Sequence, residues 1–444
     1  MNKITYGLGL CLLLTSCFKE VGITVTTDFI YTAKDSIYTA PANISFTNRT
    51  IGATNFKWTF EGGEPVSSDY ENPGTVVFRQ AGDYKITLEA WNDDERQIKT
   101  HTIHIDSTVN AAFDAKVLIN DFSPVTVRLT NNTTGASAYK WTFENGDPAS
   151  ATAQSPPDVT FTTPGTHKIT LMVTNGGQDF TTEKIITVKP ALTNDFTMEP
   201  SFDDEDEEAP LTAILESKAQ NLLTRKWTTT GGTIANDTAA NTSIYFKDPG
   251  TYQVTLTAEN GKETKTVTKT IDVKANTGLR IIRDVKLGIN AAQSTIGTYY
   301  STRLRKVFRN GDDLSAAGKD IDIVFFGLNQ GFSYNKFISP DSSTAYAFGN
   351  IPGATYTRYV NSLEACGCSL AFTVADFDAM TDDVPLKNMN ISNGAEGGVP
   401  FTNAVIPRIV VFRTADGRMG AIKVKTFVPN GTSSYIIIDI KVQK

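Results

Sequence analysis

Imidazoles, thiols and an excess of basic charge are what this sequence has least of. Its 444 residues include three His and four Cys, few for a metalloenzyme or a disulfide scaffold. Lys and Arg number 41 against 48 Asp and Glu, a formal charge of −7. Phosphate binding needs a basic footprint, so this balance argues against a nucleic-acid partner. Gly-x-Ser-x-Gly, His-Glu-x-x-His and Walker-type loops are missing, which leaves nucleophilic, zinc and nucleotide chemistry without their usual sequence support. His101 and His104 stand three apart in a strand-like segment, an odd spacing that puts them on opposite faces and not in a metal pair. The expectation is a protein that is not an enzyme, although carboxylates paired in space leave no sequence trace. What is present is a chain able to fold. Hydrophobic residues make up 40% and charged residues 20%, enough to bury a core, and the length implies two to four domains.

The one membrane-like apolar run is Ile4 to Leu14. It follows a short positive segment, Met1-Asn2-Lys3, and is too short to span a bilayer as a helix. Leu14-Thr15-Ser16-Cys17 closes it. Small residues before a Cys, directly after such a run, resemble the bacterial lipoprotein signal. The resemblance implies cleavage before Cys17 and lipidation there; the plainer reading is a cleaved secretory peptide with an incidental Cys. Acyl chains contribute about 0.8 kcal/mol per buried CH2, so several chains hold a protein firmly to a membrane. Phe18-Lys19-Glu20 is similar to the Lys-acidic export signal of Bacteroidetes lipoproteins sent to the cell surface.

Three copies of one unit follow. Phe56-Lys57-Trp58-Thr59-Phe60 recurs as Tyr139-Lys140-Trp141-Thr142-Phe143 and, degraded, as Arg225-Lys226-Trp227-Thr228-Thr229. The Trp spacings are 83 and 86 residues. A second motif keeps step: Ala81-Gly82-Asp83-Tyr84-Lys85-Ile86-Thr87-Leu88 matches Pro164-Gly165-Thr166-His167-Lys168-Ile169-Thr170-Leu171 and Pro249-Gly250-Thr251-Tyr252-Gln253-Val254-Thr255-Leu256. Two motifs at a shared spacing mark an internal repeat. Successive strand side chains alternate between faces. Phe56, Trp58 and Phe60 therefore share one face, as do Tyr84, Ile86, Leu88 and Ala90. His167 takes the inward position that Tyr holds in the other copies, which reads as packing. Many short alternating strands separated by turn signals describe a two-sheet sandwich.

Aromatic-x-Trp-x-Phe, then Pro-Gly-x-Tyr-x-Val-x-Leu, then Asn-Gly resembles the PKD domain, an immunoglobulin-like sandwich of extracellular proteins, over roughly residues 22–275. The family often reads Trp-Asp-Phe-Gly-Asp-Gly. Here Thr59 and Thr142 replace the Asp, and the loops read Glu61-Gly62-Gly63 and Glu144-Asn145-Gly146. The resemblance implies spacers or binding modules.

From about Asn276 the repeat stops, but the chain stays β-rich, as in Asp320 to Phe326, Arg408 to Phe412 and Ser434 to Val442. Asp416-Gly417 between apolar runs reads as a hairpin turn. The strand pattern resembles C-terminal domains of Bacteroidetes surface lipoproteins, which are usually associated with SusC/SusD-type nutrient uptake systems. The fold class is thus all-β: three tandem immunoglobulin-like (PKD) β-sandwiches followed by a larger β-rich C-terminal domain. The boundaries are a signal peptide at 1–16, a lipidated Cys and tether at 17–21, sandwiches at 22–107, 108–190 and 191–275, and the last domain at 276–444.

Candidate functional residues are few. Trp91 lies on the polar face with Lys85, Thr87 and Glu89, where the other copies have Thr174 and Glu259. It suits sugar stacking or a protein contact, or else packs locally. Phe332, Tyr334, Tyr356 and Tyr359 are flanked by Gly, Asn and Pro, and read either as a ligand or partner surface or as core. Cys366-Gly367-Cys368 could form a strained local disulfide, two free thiols or half of a metal site. Asp203 to Glu208 is a run of six acids. It reads as a solvated loop or as an oxygen-rich Ca2+ site, though without EF-hand spacing. No other cofactor is expected.

Two functions are expected. In the first, a lipid anchor at Cys17 holds the chain to the outer membrane at the cell surface, the PKD copies act as a spacer, and the C-terminal domain captures a nutrient ligand, which the family resemblance makes a glycan. In the second, the chain is an accessory subunit docked on a SusC/SusD-type transporter with peptide or glycan cargo.

Overall fold

Side-chain alternation decides where the strands bury themselves. In Asn55–Phe60 and Ala138–Phe143, Trp and the second aromatic point inward and are buried, while the Lys and Thr between them are exposed. The third copy, Thr224–Thr229, keeps the buried Trp227, but Thr229 in place of the aromatic is half-exposed. The computed structural model in which this is seen describes residues 21–366, 370–391 and 398–444. The fold is all-β, with short helical turns among the strands. Two compact units divide the chain. The first, described from Val21, runs to Asp195 and includes Lys218–Arg225 and Thr257–Thr266; the second holds Phe196–Ser217, Lys226–Leu256 and Val267–Lys444.

The first unit contains two immunoglobulin-like sandwiches. In the N-terminal one, Phe29–Ala33, Ala42–Asn48, Gly74–Phe78 and Gly63–Glu64 lie in that order in one sheet. Ser67–Ser68, Asn55–Phe60, Gly82–Trp91 and Arg96–Ile105 form the other. Trp58, Phe60, Ile86, Leu88, Ile44 and Phe78 fill the space between. The second sandwich repeats this, with Trp141, Phe143, Ile169, Leu171, Val127 and Phe161 as its core. Gly62 shows why the loop after the Trp strand needs glycine. Its φ is +67°, and a Cβ there would come within 2.2 Å of the Tyr84 ring. The two sandwiches are tied through a hairpin tip of the second. Thr39 Oγ1 donates to the Asn175 carbonyl at 2.7 Å, and Asn175 Nδ2 donates to the Ser107 carbonyl at 3.1 Å. The Tyr38 amide donates to the Gly176 carbonyl at 2.6 Å.

In the second unit, the body of the third copy has a sheet ordered Phe196–Pro200, Leu211–Ser217, Asn241–Phe246, Thr233–Ile234. Phe196 packs edge-on against Trp227. The C-terminal domain is one sandwich. Its larger sheet runs Leu279–Gly288, Tyr435–Gln443, Met419–Val428, Arg408–Arg413, Arg358–Val360. Its smaller sheet runs Lys306–Phe308, Tyr299–Ser301, Ile323–Gly327, Asn335–Ile338. Between them lie Phe325, Phe337, Val410, Phe412, Ile422 and Ile438. The outer face of the larger sheet is covered as well, since Val411, Ile409 and Ala421 pack with Phe377, Leu386 and Met380 from the helical segment. Burial on both faces explains why Arg408–Phe412 reads as an unbroken apolar run after its first residue. Thr373 and Asp376 close a capping box on the helix Val374–Ala379. The turn at Asp416-Gly417 joins two paired strands, with Gly417 at φ +92°.

Candidate functional site

Arg358 opens the edge strand of the larger C-terminal sheet, Arg358–Val360, and Tyr356 lies two residues before it. Alternation turns Tyr359 inward and leaves Arg358 on the other side. Tyr359 is 6% exposed and Tyr356 is 49% exposed. The strand pairs antiparallel with Arg408–Arg413, and Arg358 stands directly across from Arg413. Beyond Arg413 the chain turns through Thr414, Ala415 and Asp416. Tyr356, Arg358, Arg413, Thr414 and Ala415 thereby line a recess of about 330 Å3. A second recess of about 230 Å3 shares Thr414 and Ala415 and adds Arg303, Lys319, Asp320, Asp322, Asp416 and Arg418. The two make one polar cleft.

One wall of the cleft is internally neutralised. Arg418 donates through Nε to Asp416 at 2.9 Å and through Nη2 to Asp322 at 3.3 Å. Arg303 lies 3.0 Å from Asp416 and 3.8 Å from Asp320. Burial pushes the Asp322 carboxyl up, and hydrogen bonds from Thr302 and Arg418 offset this only in part. Burial also opposes ionisation of Asp416, but Thr414 and Arg418 outweigh it and hold that carboxyl below its ordinary range. Asp322 is almost wholly enclosed, so it aims Arg418 and does not meet a ligand. The other wall differs. Among the described residues, neither Arg358 nor Arg413 is ion-paired with an acid. The Arg358 guanidinium sits 5.8 Å from the Tyr356 ring centre. The cleft thus offers a flat aromatic face, polar walls and, in the recess beside Tyr356, the unmatched cations Arg358 and Arg413, while Lys319 in the second recess is likewise without an acid partner among the described residues.

The other expected surface residues are not brought together. Phe332 is 1% exposed, in contact with Phe427 in the core, which corrects its reading as a surface residue. Tyr359 is corrected in the same way: it packs between Phe337 and Phe412 and donates its hydroxyl to the Asp322 carbonyl at 2.5 Å. Burial, together with the neighbouring Asp322 charge, pushes that hydroxyl far up. Tyr334 is half-buried against Phe326. Trp91 lies on the outer face of the first sandwich, half-buried, with the Arg96 guanidinium 4.8 Å over its ring. Arg96 is the residue opposite Trp91 in the hairpin and is itself held by Glu89 at 2.9 Å. This is the local packing arrangement. Cys366 is buried and disulfide-bonded. Cys368 and Cys17 lie outside the described residues.

The acidic run is partly exposed and engaged by neighbouring cations and amides. Glu207 pairs with Lys274 at 2.7 Å and Glu205 with Arg305 at 3.0 Å. Glu208 accepts from the Thr277 amide at 2.7 Å and from Lys444 at 2.7 Å. Asp206 pairs with Lys444 at 2.9 Å, and the Asp203 carbonyl accepts from Arg280 at 3.0 Å. Asp204 accepts from Ser201 and from the Thr212 amide. Among the described residues, no group of His, Cys, Asp and Glu is placed to hold a metal. The run binds the third copy to the C-terminal domain by ion pairs.

Arg358, Arg413 and Arg418 are absent from the residues the sequence singled out. Alternation in Thr355 to Val360 could have placed Tyr356 beside Arg358. The register opposite Arg413 leaves no sequence signal.

A family model described as PKD domain matches residues 28–105, 119–188 and 195–273. No curated protein matches the chain. Among solved structures, a DUF4466 family protein from Parabacteroides merdae is 14% identical, covering 57% of this chain and 99% of that one, with a TM-score of 0.27. A titin I-band fragment, I67–I69, is 11% identical, covering 56% and 99%, with a TM-score of 0.34. A C-terminal fragment of intimin in complex with the intimin-binding domain of its receptor is 17% identical, covering 40% and 67%, with a TM-score of 0.26.

Proposed function

The chain belongs to the PKD-domain family, and from that premise we propose that it is a lipid-anchored protein of the outer-membrane surface that captures a glycan for nutrient uptake. PKD repeats serve extracellular adhesion or spacing, and folds of this kind are typically non-catalytic. The observation that carries the capture reading is the open face of Tyr356 at the mouth of the polar cleft. A sugar ring stacks on such a face through its C–H surface, while the flanking polar groups orient its hydroxyls. Anchoring at Cys17 and surface export through Lys19-Glu20 rest on the leader pattern. The first two sandwiches, with their hairpin-tip junction, suit a spacer of limited flexibility. Affinity electrophoresis through polysaccharide gels tests the reading. Retardation by at least one glycan, lost on Tyr356→Ala, is expected; free migration of the native chain in every gel overturns it.

A second reading, an accessory subunit of a SusC/SusD-type transporter, is favoured by one observation. Val405 and Ile406 are adjacent and about half-exposed in a loop of the C-terminal domain, which suits a protein contact. Stoichiometric co-purification of an outer-membrane transporter from detergent extracts, weakened by Val405→Asp, is the expected result under that reading.

A further inference from the structure

We propose that the cleft selects acidic saccharides: the sugar ring lies on Tyr356, and its carboxylate or sulfate sits between Arg358 and Arg413. This rests on the glycan-capture reading and narrows it to a ligand class. Arg358 and Arg413 are direct cross-strand partners. Side chains so placed have Cβ atoms about 5 Å apart, and like charges there repel. Elsewhere in the cleft the same conflict is resolved within the protein, since Arg303 and Arg418 each have Asp partners at 2.9 to 3.3 Å. Among the described residues, Arg358 and Arg413 have no such partner. Ala415 beside them is too small to fill the recess.

Two guanidiniums facing one recess match a planar or tetrahedral oxyanion better than any neutral group. Their N–H forks engage its oxygens in pairs and its charge relieves their repulsion. A free oxyanion would leave the exposed Tyr356 ring unused. A sugar carrying that anion uses both, because Tyr356, two residues before the strand that Arg358 begins, lines the same recess as Arg358 and Arg413. The position of the anion is also constrained. In the neighbouring recess Arg303 and Arg418 are already engaged by Asp320, Asp322 and Asp416, so the anionic group belongs on the Arg358 side.

Titration calorimetry on the full chain tests the inference with three probes: trigalacturonate for carboxylate, a chondroitin sulfate disaccharide for sulfate, and maltotriose as a neutral control. Binding of at least one acidic probe is expected, weakening as salt is added. Arg358→Gln and Arg413→Gln should each reduce it about tenfold or more, with Lys57→Ala, on the outer face of the first sandwich, as the unaffected control. Hydrogen exchange read by peptide guards against misfolding. Removing one member of a like-charge pair should leave the protection of the C-terminal domain unchanged or higher, so lost binding would not be lost structure. If maltotriose binds as well as the acids, or the Arg variants bind acid normally, the acidic-ligand inference is overturned while glycan capture stands. If none of the probes binds but neutral polysaccharides retard the chain in gels, the same holds. If nothing binds in either assay, both fall.

Discussion

Trp58 Nε1 donates a hydrogen bond to the Tyr70 carbonyl oxygen at 3.1 Å, twelve residues along the chain. Trp141 reaches the Ala153 carbonyl and Trp227 the Ala239 carbonyl over the same separation, at 3.0 and 2.9 Å. The repeated Trp therefore does two things. It fills the core and pins the loop that leaves its own strand. Trp58→Phe keeps most of the apolar volume but leaves the Tyr70 carbonyl without this donor, so a loss of about 1–3 kcal/mol is expected. Trp58→Ala also opens a cavity and should cost about 3–5 kcal/mol. A chain of several domains does not unfold in two states, so the measurement is hydrogen exchange read by peptide. Faster exchange should be confined to peptides within 29–105; uniform protection would show that the bond contributes nothing.

His167 stands where Tyr84 and Tyr252 stand in the other copies, and it solves the same problem. Tyr84 donates its hydroxyl to the Gln80 carbonyl and Tyr252 to the Asp248 carbonyl, both at 2.9 Å and both four residues back. His167 Nε2 contacts the Thr163 carbonyl at 2.7 Å, also four residues back, while Nδ1 lies 3.1 Å from the Glu144 carbonyl. His167→Tyr should therefore fold with unchanged or raised hydrogen-exchange protection of peptides within 113–188. His167→Ala should lower it, because it removes the ring packed at a tilt against Phe161 along with the bond. A strong loss of stability in His167→Tyr would mean that the Glu144 contact, which Tyr cannot copy, matters more than the shared one.

These repeats were legible in the sequence because their physics is local. Alternation and glycine turns place Trp58, Phe60, Ile86 and Leu88 inward without knowledge of any partner strand. The C-terminal domain was less legible. Phe332 sits between Gly and Ser, a context that reads as loop surface, yet its φ of +52° turns the side chain back into the core. Tyr359 is buried because a second strand and Asp322 receive it, and both contacts are distant in sequence. The facing of Arg358 and Arg413 depends on strand register across more than fifty residues. The acid run misled for a related reason. Its cations, Lys274, Arg305 and Lys444, come from other segments of the chain.

His104 gives the first sandwich a pH-dependent contact. Its Nδ1 lies 2.7 Å from Asp83 on the neighbouring strand, and that hydrogen bond raises its pKa above 6.5. A raised value means that the folded state binds the proton more tightly than the unfolded chain. The contribution to stability is therefore full below about pH 6.5 and is lost as pH rises through the folded value. Both side chains are exposed, so the effect on stability is small. The clearer readout is the imidazole titration by NMR. Its midpoint should fall in Asp83→Asn, and stability of the variant should approach that of the native protein above the transition. An unchanged midpoint would remove Asp83 as the cause.

Glu208 is the acid on which the junction of the third copy with the C-terminal domain most depends. One carboxylate receives the Thr277 amide at 2.7 Å, the Thr277 hydroxyl at 2.9 Å and Lys444 at 2.7 Å. Thr277 lies two residues before the first strand of the C-terminal domain, so these bonds fix the direction in which that strand departs. Glu208→Ala deletes all three bonds and leaves the Thr277 amide to water. The expected outcome is faster proteolysis within 274–279, with each neighbouring sandwich keeping its hydrogen-exchange protection. Arg305→Ala should weaken the same junction less, because the Arg305–Glu205 pair has a partly exposed carboxylate and is screened. High salt should mimic these variants in part. Chelation should not, because Glu205, Asp206, Glu207 and Glu208 are already engaged by Arg305, Lys444 and Lys274. If EDTA accelerated cleavage and Ca2+ restored resistance, the run would be a cation site after all, and the ion pairs would be what forms when the cation is absent.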